Sequence, residues 1–297
     1  MLPKVTIVTP SYNQAAFLER TLLSVLGQSY GNIEYIVIDG GSTDGSVEII
    51  RSYSHRIAYW ISEPDAGQAD AINKGFAKAT GEYFGWLNSD DLLHPDAIAK
   101  TMAALDARPE VDLVYGDVET GEDERDTQPF KGKATDLNTM LATFEVPIPQ
   151  QGSLWRRRAW ERVGGLDARW QVVLDREYFL RIAEQGKVAY LAENLGFFRL
   201  HADSKSSAQQ TRWLDELPRM YGEYFARPSL SPEVAALRGT AMAAMYVQCA
   251  WLALGHGLYR NMAEYLARAL RHDPLFLLKP GMRVMLARYL ARRFGRA

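Results

Sequence analysis

The chain has 297 residues, 47% of them hydrophobic and 24% charged, with a formal net charge of −2 and one cysteine. That balance describes a globular chain with ample core material and excludes a general nucleic-acid binder, which carries a basic excess. One cysteine excludes an internal disulfide and a four-cysteine zinc site, and leaves Cys249 as a small buried hydrophobe.

At the N-terminus, MLPKVTIVTPSYN has too short an apolar run for a secretory signal, and no stretch of ~18 apolar residues predicts a membrane-spanning helix. The expected location is therefore cytoplasmic. From there to about residue 120, β-branched runs predict strands at 4–9, 33–39, 56–62, 82–88 and 111–117. Helical periodicity between them predicts helices at roughly 15–27, 44–53, 67–79 and 95–107, with Asp44 and Pro95 near two of the starts. Such alternation implies a mostly parallel sheet with helices on both faces. The segment TGEDERDTQ (120–128) reads as a polar hairpin or loop. Order returns at 151–167, in a helix at 175–186 and a strand at 195–201, and after about 206 the pattern is entirely helical.

In sheets of this kind ligands bind beyond the carboxyl ends of the strands. Those ends read TPSYN (9–13), DGGSTDGS (39–46), SEPDAGQ (62–68) and NSDD (88–91), so several carboxylates and small residues share one rim. A single strand-end aspartate is ordinarily a turn or a helix cap, and Asp44 and Asp96 fit that role. Asp90 and Asp91 do not both fit it, because only one of two neighbours can cap. A divalent cation would make the pair tolerable, and Mg²⁺ or Mn²⁺ prefers carboxylate oxygen beside substrate phosphates.

The segments VTPSYNQAAFLERTLLSVLGQSYGNIEYIVIDGGSTDGS and SEPDAGQADAINKGFAKATGEYFGWLNSDDLLHP resemble those of the GT-A glycosyltransferases of family 2. The likeness covers about residues 3–205. It implies a GT-A, Rossmann-like α/β fold with a mostly parallel sheet flanked by helices, in a catalytic domain at 1–205. An all-helical C-terminal extension would occupy 206–297. It further implies metal-dependent transfer of a sugar from a nucleotide-diphosphate donor to an acceptor hydroxyl, with inversion at the anomeric carbon.

By the same resemblance, Ser11 and Tyr12 match positions that hold base and ribose, and Asp39 matches the acid that reads the base. Asp65, Gln68, Asp70 and Lys74 match the second nucleotide-facing segment, although Asp70 and Lys74, four apart on a helix, equally suit a surface ion pair. Asn73 suits packing or capping. Asn88, Ser89, Asp90 and Asp91 occupy the Asp-x-Asp-like region, with Asn88 where a strict motif has an acid. Asp90 is expected at the ribose or a metal-bound water, and Asp91 at the divalent metal, with His201 completing the metal or diphosphate site. In GGLDARWQVVLDREYFLR the general base falls to Asp175, with Glu177 and Asp167 as spares; Leu174 replaces the first acid of the usual Glu-Asp pair. Gln151 and Trp155 would line the acceptor pocket, or Trp155 would serve the core. Gln209, Arg212 and Trp213 match a Gln-x-x-Arg-Trp pattern of processive synthases, whose transmembrane helices this sequence lacks; chance agreement is the plainer reading.

Residues 250–276 read as one helical hairpin of the tetratricopeptide kind. The stretch 275–297 carries Lys279, Arg283, Arg288, Arg292, Arg293 and Arg296 without an acid, and suits either an anionic membrane surface or a solvated basic helix end. The expected activity is non-processive transfer in bacterial surface polysaccharide or glycolipid synthesis, to a saccharide or lipid-linked saccharide acceptor. The rivals are a sugar-phosphate nucleotidyltransferase, which needs a Gly-rich, arginine-containing loop that TPSYNQ is not, and a degenerate nucleotide-sugar binding protein, which Asn88 and Leu174 keep open.

Overall fold

The computed structural model describes residues 2–142, 148–202, 204–205 and 209–276. The chain divides into two compact units, Met1–Leu137 with Val146–Ala208, and Asn138–Glu145 with Gln209–Ala297.

In the first unit, every residue of β1 (Val5–Ser11) is buried, as befits a central strand covered on both faces. Its threonines are tolerated there because both are partnered. Thr6 Oγ1 donates to Glu34 Oε2 at 2.6 Å, and Thr9 shares a hydrogen bond with the Tyr35 hydroxyl at 2.9 Å. α1 (Ala15–Leu26) buries Leu18, Thr21, Leu22 and Val25, the i, i+3, i+4, i+7 face of an amphipathic helix. Then come β2 (Ile33–Asp39), α2 (Ser46–Ser52), β3 (Tyr59–Ser62), α3 (Gln68–Lys78), β4 (Tyr83–Trp86), β5 (Leu92–Leu93), α4 (Ala97–Asp106) and β6 (Val111–Gly121). The polar 120–128 segment is a hairpin that brings β7 (Gln128–Phe130) antiparallel onto β6. Then follow β8 (Leu154–Arg156), α6 (Arg157–Val163), α7 (Leu174–Gln185) and β9 (Lys187–Arg199); α5 (Leu137–Ala142), before β8 in sequence, falls in the second unit apart from Leu137.

The strands form one mixed sheet in the order β3–β2–β1–β4–β8–β6–β9–β5, with β7 added on β6. Its longest ladders, β1 with β2 and β6 with β9, are parallel, and β8 runs antiparallel between the two halves. Register puts Ser11 opposite Asp39 and Asp39 opposite Ser62, so three polar residues line up at the carboxyl rim.

One capping expectation gains an addition and one needs correction. Asp44 serves the starts of two helices: its Oδ1 accepts the Ser46 N–H and Oγ at the start of α2, and its Oδ2 accepts the Ala15 N–H at 2.8 Å and so caps α1 across the loop. Asp96 occupies the position before α4 but makes no capping bond, because its carboxylate is drawn to Lys100 at 3.1 Å.

The second unit contains α8 (Trp213–Phe225), α9 (Pro232–Ala236), α10 (Arg238–Gly255) and α11 (Tyr259–His272). Ser231 caps α9 through Val234 N–H, with Pro232 in the first turn. α10 and α11 pack together as the expected hairpin, with Tyr246 stacked between Tyr265 and His272. Cys249 is buried in α10. Arg212 pairs with Glu216 at 2.9 Å, an ordinary contact one helical turn away. Among the described residues no helix is long and apolar enough to cross a membrane. Of the basic stretch at 275–297, everything after Phe276 lies outside the described residues.

Candidate active site

The rim of the first unit is built from two laced loops. Asn13, in the left-handed region at φ 50°, accepts the Thr43 N–H on its Oδ1 and gives its own N–H to Ser42 Oγ. With the Asp44 cap on Ala15, the loops after β1 and β2 become one surface. Asp39 supports it from below. Fully buried, it accepts Ser42 Oγ on Oδ1 and Gly41 N–H, Ser42 N–H and Ser62 Oγ on Oδ2. Asp39 is thus committed to shaping the loop. Ser11 Oγ beside it is buried without a partner among the described residues, and an unpaired buried hydroxyl is a group to which a ligand atom can bond.

Above Asp39, Tyr12 stands 62% exposed. A Cβ on Gly40 would come 2.7 Å from Asp65 Oδ2 and 3.3 Å from the Tyr12 ring, so only glycine lets ring and carboxylate share this spot. Asp65 uses Oδ1 for Gly67 N–H at 2.8 Å, and Gly67 takes φ +108° to start α3. Asp70 accepts Ala66 N–H and pairs with Lys74 at 3.3 Å, and Lys74 also meets Glu63 at 3.3 Å. The surface-ion-pair alternative describes their geometry. Asn73 clamps Leu166 through both backbone groups, which is packing.

At the end of β4 the acids separate. Asp91 turns inward: it is fully buried, Oδ1 accepts Arg199 N–H at 3.0 Å, and Oδ2 accepts Gln151 Nε2 at 2.8 Å and Asn88 Nδ2 at 3.1 Å. Burial, then the neighbouring Asp90 charge, pushes its carboxyl well above the usual range. With every oxygen held by protein donors, Asp91 is ill placed to ligate an ion, contrary to the sequence-based expectation. Asp90 faces the other way, with Oδ2 3.1 Å from His201 Nε2 and its side chain 17% exposed. Asn88 accepts from Gln68 Nε2 at 2.6 Å, and Gln68 Oε1 accepts from Lys205 Nζ at 3.0 Å. Ser89 is buried, its carbonyl held by Thr21 Oγ1.

Among the described residues no group of three or more His, Cys, Asp or Glu side chains converges. Asp90 and His201 offer one carboxylate and one imidazole. That two-donor set fits a hard divalent ion that completes its shell with phosphate oxygens and water.

The third part is α7. Trp86, Trp155, Tyr178 and Phe179 form an aromatic cluster with ring centroids 5.3–6.3 Å apart that pins the start of α7 to the end of β4. Trp155 is core, fully buried; Gln151 belongs to the Asp91 network. The segment before α7 reaches back to the rim, since a Cβ on Gly67 would come 3.1 Å from Gln171 Oε1. On the first turn, the partner of the Asp175 carboxylate among the described residues is its neighbour's N–H, Arg176 at 2.7 Å, and burial raises its carboxyl above the ordinary value. The spares are occupied. Glu177 is gripped by Arg181 at 2.8 and 2.9 Å, and Asp167 by Arg169, whose charge and N–H hold its carboxyl below the usual range against burial.

Sequence reasoning missed Asn13, Gln150 and Arg199. Arg199 left a signal, a lone charge inside the apolar strand LGFFRLH; Gln150, which donates to the Trp86 carbonyl at 2.6 Å, left none.

The sequence profile of Glycosyl transferase family 2 matches residues 6–164. An uncharacterised glycosyltransferase of Mycobacterium tuberculosis H37Rv is 37% identical over 187 residues, 61% of this chain and 69% of that one. One from Nostoc sp. PCC 7120 is 27% identical over 312 residues, covering 93% and 97%. A PGL/p-HBAD biosynthesis glycosyltransferase of Mycobacterium bovis BCG is 32% identical over 183 residues, covering 60% and 69%. In fold, the chain resembles the mannosyltransferase PcManGT of Pyrobaculum calidifontis, solved with GDP-Man and Mn²⁺ (TM-score 0.64, 20% identity, 100% of this chain and 89% of that). It also resembles residues 1–349 of Staphylococcus aureus TarS, solved with UDP-GlcNAc (TM-score 0.62, 12% identity, 89% of each). It spans 54% of the longer TarS chain. The architecture is the GT-A-like α/β fold expected from the sequence, and the chain belongs to glycosyl transferase family 2, a family of glycosyltransferase enzymes.

Proposed function

We propose that the protein is a metal-dependent, inverting, non-processive glycosyltransferase that moves a sugar from a nucleotide-diphosphate donor to an acceptor hydroxyl. The observation that carries this reading is the division of labour among the rim acids. Asp39 and Asp91 are consumed by internal hydrogen bonds, Asp90 faces His201, and Asp175 keeps a carboxylate oxygen with no hydrogen-bond partner among the described residues.

Tyr12, Ser11 and Asp65 receive the nucleoside, with the base against the exposed ring. Asp90 and His201 would hold Mg²⁺ or Mn²⁺, which would supply positive charge to neutralise the diphosphate. Asp175 takes the proton of the acceptor hydroxyl as its oxygen attacks the anomeric carbon. The bond from that carbon to the phosphate oxygen breaks, and its electron pair leaves with the nucleoside diphosphate. A single displacement of this kind inverts the configuration. Burial suits Asp175 to the task, because a raised pKa makes a carboxylate a stronger base.

The acceptor is a saccharide or lipid-linked saccharide of the bacterial surface. The naming of the M. bovis relative for PGL/p-HBAD biosynthesis supports the glycolipid branch. Work at the cytoplasmic face, with 275–297 on anionic lipid, belongs to the same reading. The test is thermal stabilisation by UDP, GDP, dTDP and CMP, each with Mn²⁺ and with EDTA. One diphosphate should raise the melting temperature far more with metal than with EDTA, because a ligand of the folded state stabilises it by mass action. No shift with any diphosphate would overturn the metal-bridged reading.

A further inference from the structure

Asp90 and His201 are 111 positions apart in sequence, yet their side chains meet at 3.1 Å. The residue that links their surroundings is Arg199, at the end of β9, with its side chain only 4% exposed. Its backbone N–H donates to Asp91 Oδ1 at 3.0 Å, and its Nε donates to the Asp90 carbonyl oxygen at 3.0 Å. Its guanidinium lies 5.2 Å from the centroid of Phe17, and the same ring lies 4.4 Å from the His201 imidazole. Phe17 is therefore packed by Arg199 and by His201. The far end of the fork donates to the Glu122 carbonyl oxygen at 3.1 Å and to Glu124 Oε1 at 3.1 Å, in the turn between β6 and β7. Arg20, on α1, pairs with the same Glu124 oxygen at 2.5 Å.

A guanidinium is expensive to bury, and leucine or methionine would fill the space between Phe17 and Phe197 at lower cost. What an apolar side chain cannot do is hydrogen-bond the Asp90 backbone and the hairpin in opposite directions while lying against an aromatic ring. Lysine cannot do it either, because its single ammonium lacks the planar fork. Thr21 holds the same turn through the Ser89 and Asp91 carbonyls, but among the described residues makes no hydrogen bond to Asp90 or His201.

We propose that Arg199 is a positioning residue for the reaction. It fixes the Asp90 backbone directly and the His201 ring through Phe17, and it makes Glu122 and Glu124 of the hairpin part of the support for the ion-holding pair. This rests on the functional reading above, in which that pair holds the divalent ion.

The experiment measures Mn²⁺ affinity by electron paramagnetic resonance of free against bound ion. The parent protein, Arg199→Lys, Phe17→Leu and Glu124→Gln are compared in the presence of the nucleoside diphosphate that stabilises the parent most. Nucleotide affinity in EDTA and the melting temperature are recorded alongside. Arg199→Lys should weaken Mn²⁺ about tenfold, about 1.4 kcal/mol, and Phe17→Leu about threefold to fivefold. Glu124→Gln should weaken it about twofold, and nucleotide affinity in EDTA should change less than twofold throughout. A purely structural role would lower the melting temperature and weaken both affinities together, and that result overturns the proposal. So does parental Mn²⁺ affinity in Arg199→Lys. Should Arg199→Lys fail to fold, parental Mn²⁺ affinity in both Phe17→Leu and Glu124→Gln overturns it instead. A parent that binds no Mn²⁺ with any diphosphate refutes the functional reading, and so is distinguishable from failure confined to the variants.

Discussion

Exchanging Asp90 and Asp91 separately for asparagine should give opposite phenotypes. In Asp91→Asn, the new amide must satisfy three donors that now converge on a carboxylate: Arg199 N–H, Gln151 Nε2 and Asn88 Nδ2. If its NH₂ faces Arg199 N–H, two donors oppose each other. If it faces the two amides they must flip, and Asn88 cannot flip without losing its 2.6 Å bond from Gln68. Either way a buried N–H is stranded, which costs about 1–3 kcal/mol. Part of that is offset because Asp91 is itself strained as an anion, burial and the Asp90 charge both opposing its ionisation. The melting temperature should fall by several degrees, at roughly 2–4 °C per kcal/mol for a unit of this size. The Mn²⁺-dependent stabilisation by nucleoside diphosphate should survive. Asp90→Asn should melt within ~2 °C of the parent, since its side chain has one hydrogen-bond partner, His201. Its Mn²⁺-dependent shift should vanish. Thermal melts of both variants with nucleotide, in Mn²⁺ and in EDTA, decide the matter. Loss of the metal-dependent shift in Asp91→Asn at parental stability, with its retention in Asp90→Asn, would refute the assignment.

Asp175→Asn keeps an oxygen for Arg176 N–H but cannot accept a proton, so turnover should fall about 10²–10⁴-fold with nucleotide binding unchanged. Because burial raises the folded pKa of Asp175 above 3.8, its ionisation works against folding as pH rises through that raised value; Asp175→Asn should therefore melt no lower than the parent at neutral pH. The same shift places the acidic limb of the parental rate profile above the ordinary carboxylate value, with activity lost as pH falls. Gly40→Ala should drive Asp65 and Tyr12 apart, raising the donor KM about tenfold with little change in melting temperature, because the nearest atom is the movable end of a side chain. Steady-state kinetics and melts together check both variants.

Local periodicity made the first half of the fold readable. The α1 stripe of Leu18, Leu22 and Val25 and the runs of β1 and β2 each report on a face that their own residues define. The loops at the strand ends were legible as a rim for the same reason. Partnership across the chain was not. Asp44 caps α1 from 29 positions away, a bond that the pattern around either residue does not hint at. Trp155 looked as suited to a pocket as to a core, and only the pairing of β8 with β4 and the ring contacts with α7 put it among Trp86, Tyr178 and Phe179. The likeness to a family pointed to the stretch 88–91 and to Asp91 as the ligand, whereas the fold turns Asp91 inward and Asp90 toward His201.

That orientation is decided by β9. Pairing of Leu92 with Phe197 brings Arg199 alongside the turn, and its N–H claims Asp91. Once Asp91 is drawn inward, its neighbour must face the rim. Asn88 then ceases to be a defect in the motif. An aspartate there would set a second carboxylate 3.1 Å from Asp91 Oδ2, a pair that repels unless it binds a proton. An amide instead donates to Asp91 and accepts from Gln68, and so carries a hydrogen-bond chain from Lys205 to the floor of the site. The departure from a strict acidic motif and the inward turn of Asp91 are thus two sides of one arrangement, in which a single outward acid, Asp90, is left to face His201.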